Sequence, residues 1–244
     1  MDSKDISVPI GGPKKPVSSA KEGVTVAIGG QPIRFSATAS ADIVFVIDTT
    51  GSMENEIYGL LQTSQRFVDE LAKKQIDWQI AIVSFGDLNV PGDKILATSF
   101  SKKPEVVKKS LRQIPRNDGG ANQGESCLEA IVTALNAQGF RQNAIKVFMV
   151  MTDEPALQSK QLTAQSVTEK LLERGVLAFL ISEPFDYFKE MANRTGGEWF
   201  QISSDTDFLS ILDRLGKRVS QIVAEVQSLA DGDVRRYLQL KPGP

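Results

Sequence analysis

The segment Ile43 to Met53, IVFVIDTTGSM, constrains this 244-residue chain more than any other. Five consecutive apolar residues run straight into a short loop rich in oxygen-bearing side chains. Such a run marks a strand buried on both faces, and open α/β sheets place their sites in the loop at that strand's carboxyl end. Function is therefore expected around Asp48, Thr50 and Ser52.

The rest of the chain alternates strands with helices. Strands are expected at Asp42 to Ile47, Trp78 to Phe85, Ile145 to Met151, Val176 to Ile181 and Glu198 to Ile202, with Lys94 to Phe100 as an extra edge strand. Between them the apolar spacing is helical: Ile57, Leu60, Leu61, Phe67, Val68 and Leu71 line one face. Further helices are expected at Pro104 to Ile114, Gly124 to Asn136, Gln161 to Arg174 and Phe185 to Asn193. A long one follows the capping run Ser203 to Asp205 and carries Phe208, Ile211, Leu212, Leu215, Val219, Ile222, Val223 and Val226. The expected fold is α/β: a doubly wound, mostly parallel sheet with one antiparallel edge strand and helices on both faces.

Four segments are expected. Residues 1–23, rich in Gly, Pro, Ser and Lys, form a flexible arm. Residues 24–40 form a hairpin across Gly29 to Pro32, with Pro32 arguing for an edge. Residues 41–228 are the main domain. Residues 229–244 are a tail in which VRRYLQL alternates weakly and could add a short strand to the hairpin.

Composition removes several kinds of chemistry. The chain has no histidine, one cysteine and a formal net charge of -2. Ser-His-Asp and Cys-His nucleophiles are excluded, as are zinc or copper sites built on imidazole and thiolate. Cys127, alone and in a helical stretch, is expected as a small core residue. Near-neutral charge gives no global attraction to nucleic acid or an anionic membrane. No stretch is apolar enough to span a bilayer and no leader-like segment opens the chain, so the expected location is cytoplasmic.

Any metal must then be a hard ion held by oxygen. Asp48, Thr50 and Ser52 stand at i, i+2 and i+4, and Gly51 lets the backbone bend so that they converge. Asp153 ends the strand run VFMVMTDEP, and Asn122 lies in DGGANQGES before a helix, each at the same side of the sheet. One charge with neutral hydroxyls suits Mg2+ or Mn2+ and, less rigidly, Ca2+. Two aspartates ~4 Å apart without a cation would repel by several kcal/mol at an effective dielectric of ~20. Glu125 is expected in a helix's first turn, on the helix dipole, and Glu154 beside the site, either in solvent or supporting the ligands from behind.

These residues resemble the von Willebrand factor type A domain, whose metal-ion-dependent adhesion site has a D-x-[ST]-x-S loop, a second loop with Thr or Asp, and a third with Asp. Asp48, Thr50 and Ser52 match the first and Asp153 the third. The second resembles the GGGDGPE version of many intracellular members, with Asn122 in the place of its Asp and Glu125 in that of its Glu. Thr195-Gly196-Gly197 resembles the family's turn before its last strand. The resemblance covers about residues 41 to 225. It implies an interaction module whose metal is completed by an Asp or Glu of a partner protein, and its intracellular members imply a place beside an ATPase, kinase or phosphatase.

An enzyme is the alternative. VIDTTGS also resembles the loop of haloacid-dehalogenase-like phosphotransferases, with Asp48 as nucleophile and Asp153 on Mg2+. That chemistry usually needs an acidic residue two positions after the nucleophile, where this chain has Thr50. No P-loop or kinase signature is present.

Overall fold

A computed structural model describes residues 25–28, 31–34, 39–73, 75–120, 124–202 and 208–240. Among these, the main sheet has six strands: β3 (Ser40–Asp48), β4 (Asp77–Phe85), β5 (Leu96–Ala97), β6 (Ile145–Thr152), β7 (Val176–Ser182) and β8 (Trp199–Gln201). They lie in the order β5-β4-β3-β6-β7-β8, all parallel except the β4–β5 edge. A separate two-stranded antiparallel sheet joins β1 (Thr25–Ile28) to β2 (Gln31–Arg34). The expected arm lies outside the described residues.

Strand side chains alternate between two cores, as period-2 geometry requires. Ile43, Phe45 and Ile47 of β3 face one core, while Val44 and Val46 face the other. Strands β6 and β7 alternate in the same way. The first core is closed by α1 (Glu54–Lys73), α2 (Pro104–Arg112) and α6 (Phe208–Ala230). The second is closed by α3 (Cys127–Leu135), α4 (Ala164–Glu173) and α5 (Asp186–Arg194). Helices on both faces explain why the inner strands read as continuous apolar runs. Cys127 is fully buried in α3, as its isolation in the sequence implies.

Chain order reverses at β3. The chain leaves β3 for β4 on one side, then returns to place β6 on the other. The carboxyl end of β3 is thus the sheet's topological switch point, where doubly wound folds open a crevice.

Two elements differ from expectation. The edge strand expected over Lys94 to Phe100 is reduced to Leu96–Ala97; beyond it Thr98 Oγ1 accepts the Ile82 N–H (2.9 Å), and pairing with β4 resumes in a bridge between Ile80 and Ser101. The tail segment Val234–Leu240 is a helix, α7, and not a strand beside the hairpin. Asp233 Oδ1 caps it by accepting from the Arg235 (2.9 Å) and Arg236 (3.3 Å) amides. Val234 and Tyr237, three residues apart, are buried on the core that also holds Ala230. Helical spacing therefore prevails over the weak alternation.

Candidate metal centre

Asp48 is the last residue of β3, fully buried. Its Oδ1 accepts from the Thr50 amide (3.0 Å) and Thr50 Oγ1 (2.7 Å), and its Oδ2 accepts from Thr152 Oγ1 (2.8 Å). Burial pushes its carboxyl up to about 6, against those three hydrogen bonds and with a smaller push from the Asp153 charge. Thr50 Oγ1 lies 3.2 Å from Ser52 Oγ, which donates to Asp153 Oδ1 (3.2 Å). Asp48, Thr50, Ser52 and Asp153 thus form one chain of oxygens across the ends of β3 and β6. Asn122, the fifth expected residue, lies outside the described residues.

The loops are held by residues that sequence spacing does not reveal. Thr49 donates through both N (2.9 Å) and Oγ1 (3.0 Å) to the Phe85 carbonyl at the end of β4. Asn117 donates from its amide to Thr49 O (3.1 Å) and from Nδ2 to Thr49 Oγ1 (2.9 Å), so the second loop clamps the first. Thr152 anchors the far oxygen of Asp48 from the neighbouring strand. Its one advance signal is its place as a polar residue at the end of an apolar strand.

Glu125 corrects an expectation. It precedes α3 rather than lying in its first turn, and it is only 4% exposed. Its backbone bridges to the third loop, donating to Pro155 O (2.9 Å) and accepting from Leu157 N (2.9 Å). Burial, followed by the charges of Asp48, Asp87, Asp93 and Glu154, pushes its carboxyl up to about 8. Glu154 is partly buried, and burial and Asp153 raise its carboxyl too. Glu56, on the first turn of α1, is raised chiefly by burial and also by Asp153.

Acidic groups thus concentrate at the switch point, where Glu54 alone of the described acids there pairs with a base, Arg116 at 4.0 Å. Among the described residues, no ion pair reaches Asp48, Asp153, Glu125 or Glu56. Nor do any three Asp, Glu, Cys or His residues gather at metal-holding distances. A cation would be held by a mixed set of two carboxylates and two hydroxyls. Those donors fit a hard divalent ion: buried negative charge lacks a counter-charge, and every donor is oxygen.

A doubly wound α/β domain with an oxygen-donor cluster at its switch point is the class these features define. The family model described as von Willebrand factor type A domain matches residues 42–213, well over half of the chain, and the chain belongs to that family. No curated protein matches it in sequence. Among solved structures, proximal thread matrix protein 1 from the mussel byssus, with a zinc-occupied MIDAS motif, is similar at a TM-score of 0.57 and 17% identity. The match covers 75% of this chain and 46% of that one, so the chain spans less than half the length of this neighbour. At that identity the likeness concerns the fold.

Proposed function

We propose that this chain is a divalent-metal-dependent protein-interaction module and not an enzyme. Asp48, Thr50, Ser52 and Asp153 hold the ion, Asn122 adds an oxygen from the second loop, and an Asp or Glu of a partner protein completes the shell. The observation that carries this reading is the continuous oxygen chain from Asp48 to Asp153, half of it buried and none of it ion-paired among the described residues. A bound divalent ion supplies the charge that lets two aspartates share one site and leaves a coordination position for an outside carboxylate. The chain's own residues do the positioning. Thr50 and Thr152 fix both oxygens of Asp48, Ser52 links Thr50 to Asp153, and Asn117 holds the first loop against β4.

Mg2+ is the ion proposed first, with Mn2+ and Ca2+ as substitutes, because neutral hydroxyls and few charges leave room for retained water. The zinc of the mussel protein supports divalent occupancy of such a site; an all-oxygen set without His or Cys favours the harder ions. The likeness of the second loop to intracellular members supports a cytoplasmic complex containing an ATPase, kinase or phosphatase.

The decisive measurement is a pull-down from source lysate with wild type and Asp48→Ala, each in Mg2+ and in EDTA, with circular dichroism to verify the fold. Partner capture is expected only for wild type in Mg2+; capture that survives EDTA sinks the reading. Phosphotransfer is disfavoured because that chemistry usually needs an acidic residue two positions after the nucleophile, where this chain has Thr50. Sustained Mg2+-dependent turnover of acetyl phosphate or a chromogenic phosphate ester would restore it.

A further inference from the structure

The two aspartates of the oxygen chain are held very differently. Asp48 accepts three hydrogen bonds, whereas among the described residues Asp153 accepts one from a side chain, the long bond from Ser52 Oγ (3.2 Å). The place of the Asp153 carboxylate is therefore set chiefly by the backbone that follows it.

That backbone runs beside Glu125 as a single rung of parallel ladder between Glu125 and Ala156. The rung uses the Pro155 carbonyl and the Leu157 amide, each 2.9 Å from its Glu125 partner. Strand geometry then turns the Ala156 amide to the opposite side, away from Glu125. Ala156 is buried, and a buried amide needs an acceptor. Tyr187 provides it: from the second position of α5, its Oη accepts the Ala156 N–H at 2.9 Å.

Tyr187 is itself held firmly. Its ring lies 5.7 Å from that of Phe185, only 10° from parallel, and 4.6 Å from that of Phe188, which is fully buried in the second core. Packed against two rings, the phenol has little freedom to follow a moving loop. Its hydroxyl is a fixed point on the core.

We propose that Tyr187 is a positioning residue for the metal centre: through the Ala156 amide its hydroxyl sets the third loop, and with it the placing of Asp153 against Ser52. This role rests on the reading of the oxygen chain as a metal site. Metal–ligand distances are held to about 0.2 Å, so a loop free to settle elsewhere offers Asp153 to the ion less often. Without the hydroxyl the buried amide must seek another acceptor, and the loop three residues from Asp153 moves with it. A phenylalanine ring would keep the packing and lose this hold.

The test is the Mn2+ affinity of the full chain, by titration calorimetry and electron paramagnetic resonance, for wild type, Tyr187→Phe, Asp48→Ala and Leu215→Ala. Tyr187→Phe should bind about 3- to 10-fold more weakly, a smaller loss than the ~10- to 100-fold typical of groups that touch a ligand directly. Leu215→Ala loses stability in the opposite core and should keep wild-type affinity; a matching loss there would make the effect one of stability and overturn the proposal. Asp48→Ala should bind no ion. Wild-type affinity in Tyr187→Phe, with the ion lost in Asp48→Ala, overturns the role of Tyr187 and leaves the metal site standing. Equal binding, or none, in wild type and Asp48→Ala overturns the metal site and the role of Tyr187 with it. Should Tyr187→Phe fail to fold, wild type decides alone. By linkage, an ion favoured by the Ala156–Tyr187 bond favours that bond in return. Saturating Mg2+ should then slow hydrogen exchange at the Ala156 amide by the same factor of about 3 to 10, and unchanged exchange overturns the proposal.

Discussion

Asp48 illustrates how one side chain is held for a task at the expense of local stability. Its carboxylate is buried and its hydrogen bonds offset only part of the desolvation, so its surroundings must be complete. Thr152→Val should therefore destabilise the protein by about 1–3 kcal/mol, the usual consequence of stranding a buried acceptor. Urea unfolding in EDTA reads this directly. Gly197 is constrained for a different reason: a Cβ there would lie 1.9 Å from the Ala178 carbonyl oxygen in β7. Backbone cannot yield as a side-chain tip can, so Gly197→Ala should cost at least about 2 kcal/mol and lower the melting temperature. A variant that melts with wild type would show that the turn can shift away from β7. The preceding Thr195 stays put by accepting the Ala178 amide through Oγ1 (3.1 Å) while donating to the Met191 carbonyl (2.8 Å).

At the scale of elements, α6 covers the first core and packs beside α1. Ile211, Leu215, Val219, Ile222, Val223 and Val226 are all fully buried, so the stripe serves this chain's own sheet and leaves no apolar face for a partner helix at these positions. Leu215→Ala should cost about 2–5 kcal/mol, with the midpoint of urea unfolding as the readout. Helix α7 continues the same core: Tyr237 is buried and its hydroxyl donates to Glu225 Oε2 of α6 (2.7 Å). Burial and that carboxylate together raise the Tyr237 phenol, so it stays a donor at physiological pH.

At the scale of the molecule, the two ends of the sheet do different work. Among the described residues, Asp48, Asp153, Glu125 and Glu56 at the carboxyl end have no ion-pair partner, whereas Asp42 and Asp77 at the amino end are paired. There Arg141 donates from Nε to Asp42 (2.7 Å) and from Nη1 to Asp77 (2.6 Å), and Lys102 reaches Asp77 at 2.7 Å. The Lys102 hydrogen bond, aided by the Arg141 charge and opposed by slight burial, holds Asp77 below the usual carboxylate range. A carboxyl depressed by folding contributes stability above its unfolded pKa of about 4 and loses it as pH falls through the folded value. The stability advantage of wild type over Asp77→Asn should thus be level from pH 5 to 8 and shrink below about pH 4. Urea melts of both proteins across that range measure it, and a gap that does not change with pH would mean the charge is irrelevant. Because Asp77 is 40% exposed, solvent screens the pair and the gap should be modest.

Local sequence alone determined the inner strands, the helices between them and the first loop, because each is written in contiguous residues. Apolar runs could only be strands buried twice, and Asp48, Thr50 and Ser52 are close in space because they are close in the chain. Asp153 was legible since it ends the next buried strand. Tertiary structure decided the rest. Thr152 reaches Asp48 only through the β3–β6 register, Asn117 reaches Thr49 across 68 residues, and Leu88 meets Ser126 only once β4 and α3 are in place. Seven residues such as VRRYLQL fit either period until a core chooses between them, and burial of Val234 and Tyr237 chose the helix. Short-range chemistry names a site's first residues; the charges that surround them follow from packing.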